Sequence, residues 1–201
     1  MALDRVLLRK FPGVSFLKMV GTGKGETFTP SDADITFWGL IAVIDEDQLY
    51  KFDNSKLITS WRKGALNEFR ALLDPISSHG KWSKENPFDF IKENSQGQVV
   101  AITRARIKWR SNLKFWSAVP PVTKSLHQSE GLIAAFGIGE APLGLQGTFS
   151  IWRDGESLRK FAYKGAEHAE VIRATERHRW YSEELFARFH LREVRGSLGQ
   201  T

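Results

Sequence analysis

The stretch "FLKMVGTG", residues 16–23, returns in altered form as "IAAFGIGE" at residues 133–140. Each copy is a run of strand length that ends in Gly-x-Gly. Outward from the first copy, "ITFWGLIAVIDEDQLYKFDNS" (35–55) reads as a second strand, an acidic turn and a short helix with Leu and Phe inward. "LITSWRKGALNEFRALL" (57–73) then reads as a longer helix. The second copy is followed in the same order by "QGTFSIWRDGESLRKFAYKG" (146–165) and "EHAEVIRATERHRWYSEEL" (167–185). "VVAITRARI" (99–107) opens the second half as a strand, and "FARFHLREV" (186–194) closes it. The helix starts are marked by "DEDQ" and "DGES", which offer Asp caps and first-turn carboxylates. Strands that return through helices predict an α+β fold. The expectation is one domain, 1–201, made of two tandem ferredoxin-like repeats at 10–95 and 96–195. Two such sheets face to face would make a dimeric-α/β-barrel-like fold with an apolar pocket inside.

Composition narrows the chemistry. The chain has 201 residues, 41% hydrophobic and 26% charged, as a globular domain requires. Aromatic content is 12%, with 7 Trp and 14 Phe, ring surface that suits a packed core or an apolar cavity alike. The absence of cysteine excludes disulfides, thiolate nucleophiles, iron–sulfur clusters and Cys-ligated haem or zinc. The opening "MALDRVLLRKFPG" lacks the apolar core of a signal peptide, and "FWGLIAVI" is too short to span a bilayer. A cytoplasmic location is the expectation. Net charge is +6, but the basic residues are dispersed and form no block, so no nucleic-acid partner is expected. The anionic surface of the inner membrane suits such a chain, which allows a peripheral contact.

Individual residues admit two readings each. "GTGKGE" (21–26) fails both common phosphate-loop patterns, so its glycines are expected to serve a turn with positive φ. On a helix, His168, Val171, Ile172, Thr175 and His178 share one stripe. An imidazole there is either a hydrogen-bonded core residue, the commoner case on spacing alone, or a metal ligand. No H-x-x-x-H or H-E-x-x-H occurs, which speaks against hydrolytic zinc. His79 and His127 read as loop residues, and alternation turns His190 to solvent. Lys18 falls on the apolar strand face of Phe16 and Val20, where a lysine either snorkels or meets an anion. Arg104 and Arg106 share a strand face, either exposed or arranged to clamp an anion.

Six segments in the same order carry a resemblance. They are "FPGVSFLKMVGTGKGETFTP" (11–30), "HGKWSKENPF" (79–88), "AITRARI" (101–107), "FWSAVP" (115–120), "GIGEAPLGLQGTFSIW" (137–152) and "HAEVIRATERHRWYSEELFARF" (168–189). With them the chain resembles the spheroidene monooxygenases, acyclic-carotenoid ketolases, from residue 10 to 195. The resemblance implies haem as cofactor, O2 and a ferredoxin-type electron donor. It implies two successive hydroxylations of a carotenoid-like substrate, and loss of water to leave a ketone. His168 falls where that family writes Pro-His, and Glu167 stands here in place of the proline. On this reading His168 is the metal ligand, with Ile172 beside it at the haem. Lys18 and Arg104 would meet propionates or serve as distal donors. Trp82, Phe115 and Trp116 would line the apolar slot, and Lys18, Arg104, Trp82 and Trp116 would be the catalytic set. A haem-barrel dehydratase, a haem-degrading enzyme, a non-catalytic haem or apolar-ligand carrier and, outside the resemblance, a basic nucleic-acid-binding module remain alternatives, and a homodimer is allowed.

Overall fold

The computed structural model describes residues 2–23, 33–88, 97–140, 145–164 and 181–197. Five helices and seven strands run in the order α1 (Ala2–Arg9), β1 (Val14–Gly23), β2 (Ala33–Ile44), α2 (Glu46–Asp53), α3 (Lys56–Gly64), β3 (Phe69–Gly80), β4 (Val99–Ile107), α4 (Asn112–His127), β5 (Leu132–Gly139), β6 (Leu145–Trp152), α5 (Gly155–Lys164) and β7 (Tyr181–Gly196) among the described residues. A 3-10 turn, Trp109–Ser111, leads into α4.

The strands form one sheet in the order β2-β1-β5-β6-β4-β7-β3, in place of the two facing sheets expected from the sequence. Every ladder is antiparallel. The two Gly-x-Gly ends meet one another: β1 joins β5 through Gly21 opposite Gly139 and Thr22 opposite Ile138. Gly21, Gly23, Gly137 and Gly139 therefore sit in ladders rather than in the positive-φ turn that was expected, residues 24–26 of that segment lying outside the described residues, and a Cβ on Gly21 would lie 3.8 Å from the Gly139 carbonyl oxygen.

The sheet curls. In a flat sheet β3 would stand about 19 Å from β5, four strand spacings away. Instead the Phe69 ring of β3 lies 6.5 Å from Phe136 of β5 and 6.2 Å from Phe149 of β6. The concave face is filled by Phe16, Val20, Trp82, Phe88, Val100, Ile102, Ile138, Phe149, Leu185 and Phe189. Rings touch throughout it, with Phe88 at 4.9 Å from Phe189 and Phe136 stacked at 5.0 Å on Phe149. The convex face carries two further clusters. Leu8, Leu17 and Phe52 join β1 and β2 to α1, α2 and α3. Val99, Ala101, Leu126, Trp152 and Leu158 join β4 and β6 to α4 and α5.

Local signals explain most boundaries. Ser55 caps α3 by accepting from the Ile58 amide at 3.4 Å, and Asp154 caps α5 from the Ser157 amide at 2.7 Å. That capping bond is the first cause of the Asp154 pKa falling to about 2. Asp45 stands at the α2 cap position without a side-chain cap bond. Two expected helices are corrected. The segment 57–73 is α3 and then β3, because "GALN" breaks the helix and the following residues pair with β7. Of the expected helix 167–185 only Tyr181–Leu185 are described, and they belong to β7, where Leu185, Ala187 and Phe189 alternate onto the concave face. His79 lies near the end of β3, exposed, and not in a loop; His127 is the last residue of α4. His190 is half-buried beside Gly97 rather than turned fully to solvent.

Candidate functional site

Five separate elements bring a polar group to one end of the concave core. Strand β1 supplies Lys18, the turn after β3 supplies Trp82 and Ser83, and β4 supplies Arg104. Glu140 follows β5 directly, and Glu183 opens β7. Arg104 extends from the same face as Val100 and Ile102, and its side chain is only 2% exposed. A guanidinium so buried needs countercharge. It receives two: Glu140 at 3.0 Å, and Glu183 in a short contact. Lys18 reaches the other Glu140 oxygen at 3.2 Å and hydrogen-bonds to Ser83. The lysine thus meets an anion from the chain itself. Arg106, on the same strand face, lies largely outside, 3.9 Å from Glu183.

Trp82 is 1% exposed and ties the polar group to the aromatic core. Its indole Nε1 donates to Glu140 at 2.8 Å, the Arg104 guanidinium sits 5.8 Å from its ring centre, and Phe16 meets it edge-on at 5.4 Å. The next two residues, Ser83 and Lys84, adopt φ of 59° and 73°, a left-handed pair closed by the Trp82 amide donating to the Glu85 carbonyl at 2.7 Å. Such backbone costs about 1 kcal/mol per non-glycine residue. The turn points both amides at one carboxylate: Ser83 N–H at 3.0 Å and Lys84 N–H at 2.7 Å donate to Glu183.

Both carboxylates stay charged in this setting. Burial by itself would push Glu140 up, but the Trp82 donor and the Lys18 and Arg104 charges outweigh it and hold its pKa below the ordinary value. Burial acts the same way on Glu183. The Lys84 and Ser83 amides, with Arg104, overcome it. Two cations and two anions thus form a locked, charge-balanced group.

Of the residues expected to form the site, Lys18, Trp82 and Arg104 converge here. Phe115 of α4 packs edge-on 5.9 Å from Tyr181 of β7. The Trp116 side chain, His168, Ile172 and His178 lie outside the described residues. Glu140, Glu183 and Ser83 are partners that sequence reasoning missed. Alternation of Glu183 with Leu185, Ala187 and Phe189 was the signal for one of them.

Haem needs an inward imidazole and a flat space beside it. Among the described residues His79 and His127 are exposed, and His190 sits on the face of β7 opposite Phe189. The concave core is occupied by touching rings, and Lys18 and Arg104 are already paired. The described residues supply no inward imidazole for a haem, and that expectation rests on His168 and Ile172, which lie outside them. No group of three His, Asp, Glu or Cys side chains among the described residues could hold a metal ion. No helix among them is long and apolar enough to cross a membrane.

No family model matches the chain. A solved structure from Fusobacterium nucleatum overlaps 99% of this chain and 87% of its own at TM-score 0.49 and 10% identity, too distant to carry an argument. Sequence relatives are nearer. The spheroidene monooxygenase of Rubrivivax gelatinosus is 29% identical over 89% of this chain and 69% of its own length. That of Cereibacter sphaeroides is 32% identical over all of this chain, which spans 62% of the relative's length. The Rhodobacter capsulatus enzyme of the same name is 38% identical over 98% of this chain and 83% of its own. Identity of that extent over nearly the whole chain means that the chain belongs to the spheroidene monooxygenase family.

Proposed function

We propose that the chain is a monooxygenase of long apolar substrates, inserting a keto group into a carotenoid-like polyene with O2 and electrons from a ferredoxin-type donor. The observation that carries the reading is the 38% identity to the Rhodobacter capsulatus spheroidene monooxygenase across nearly the whole chain. Among the described residues the concave core is filled by rings and carries its buried charges at one end. The locked Lys18–Glu140–Arg104–Glu183 group fixes Trp82 at that end. Its role is positioning, since each charge already has a partner.

Haem is the proposed cofactor and His168 its proposed ligand; when bound it would supply the activation of O2. Purified protein offered hemin is expected to develop a Soret band that His168→Ala removes. With an acyclic carotenoid, O2 and reduced ferredoxin, wild type is expected to yield a ketone. A colourless protein, or a spectrum indifferent to the substitution, overturns the haem assignment. A Soret band with no O2-dependent product overturns the oxygenase and leaves a binding protein.

A further inference from the structure

We propose that the outer layer built by α1 and α3 docks on an anionic lipid bilayer. On α1 the buried Leu8 turns into the cluster beneath β1, and Phe11 follows it there from the turn beyond the helix. Helical spacing then sends Val6 and Leu7 outward. Val6 is 48% exposed and Leu7 63%, and Arg5, Arg9 and Lys10 are exposed beside them. No acidic side chain occurs between residues 5 and 10. The acid of this helix, Asp4, is turned toward α3, where it accepts from the Trp61 indole at 3.3 Å.

The surface continues through Trp61. Its ring meets Trp38 of β2 edge-on at 4.7 Å, and Trp38 is 38% exposed. Lys56 and Lys63 of α3 are exposed in the same layer. Exposed aliphatic side chains, a half-exposed tryptophan and a set of cations are the elements of an interfacial surface. Apolar groups enter the boundary between headgroups and acyl chains, indole settles at headgroup level, and cations meet anionic lipid. A polyanion such as nucleic acid would use the cations and gain nothing from Val6 and Leu7. The inference rests on the oxygenase reading only for its purpose, access to a polyene stored in a bilayer.

The test is flotation of the full chain with vesicles of phosphatidylcholine alone, or of phosphatidylcholine mixed with phosphatidylglycerol. Binding is expected to the mixed vesicles and to fall as salt rises. Arg9→Glu with Lys10→Glu should weaken it by more than about tenfold, and Leu7→Glu should weaken it as well. The same change of charge elsewhere, Lys124→Glu with Arg159→Glu on α4 and α5, should leave most of it. Indifference to both vesicles, or equal loss in the two double variants, overturns the proposal. Lipid binding is read without turnover. Ketone formation by a chain that ignores vesicles would sink only the docking surface, and vesicle binding by a chain that makes no ketone would sink only the oxygenase.

Discussion

The Glu183 carboxylate accepts from two backbone amides of a left-handed turn and balances a guanidinium that has almost no access to water. Glu183→Gln keeps the shape, removes the charge and leaves Arg104 with Glu140 alone. Removing one partner of a buried pair costs several kcal/mol, so a loss of about 2–4 kcal/mol in unfolding free energy is expected. Its pH dependence has a fixed sign. The folded-state pKa of Glu183 and Glu140 lies below the ordinary value, so their contribution is complete above that value. It disappears as pH falls through the depressed one. Urea midpoints taken from about pH 7 to about pH 3 should fall steeply for wild type and less steeply for the variant. At this scale the sequence was half legible. Lys18 stood out as a charge on a face that alternation made apolar, and Arg104 as one of two arginines sharing a strand face. Their partners did not. Glu140 follows a strand end, and Glu183 sat in a segment whose charges suited a helix as well as a strand.

Among the elements, contact between strands sets where a side chain can be added. Gly147 of β6 lies so close to β4 that a Cβ would stand 2.4 Å from the Thr103 carbonyl oxygen, and both are backbone-bound. Gly147→Ala is therefore expected to cost about 2 kcal/mol or more, the scale of overpacking. Gly21→Ala, with its nearest atom at 3.8 Å, should change stability by less than about 1 kcal/mol. Thermal melts of the two variants side by side check the contrast. Strands β1, β2, β4, β5 and β6 were readable because each is a run rich in β-branched, aliphatic or aromatic residues with a clear end. Strand β3 was hidden. Its "FRALLDPI" is semi-buried on both faces, which blurs a period of two, and Pro75 argues against a strand interior. The ladder tolerates that proline because β3 is the last strand of the sheet, paired on one side only, with a register shift beside it.

The whole molecule binds its two halves together more closely than consecutive repeats would. Strand β3, from the first half, completes its pairing with β7, from the second, and Phe69 packs on Phe136 and Phe149. A chain of residues 1–95 alone would leave β3 unpaired and the inner rings half covered. Near-UV circular dichroism of that fragment is expected to show no fixed aromatic packing and calorimetry no cooperative transition, whereas the full chain should unfold in one. The same crossing has a temporal side. Ser77 and Arg188 hydrogen-bond across the β3–β7 ladder although 111 residues separate them. At about 5–20 residues per second, a ribosome would deliver β3 roughly 5–20 s before its mate exists. Throughout that interval the nascent strand offers a naked edge to any neighbour. Slow translation or crowded polysomes should then divert this protein into aggregates, and a holding chaperone should raise its yield.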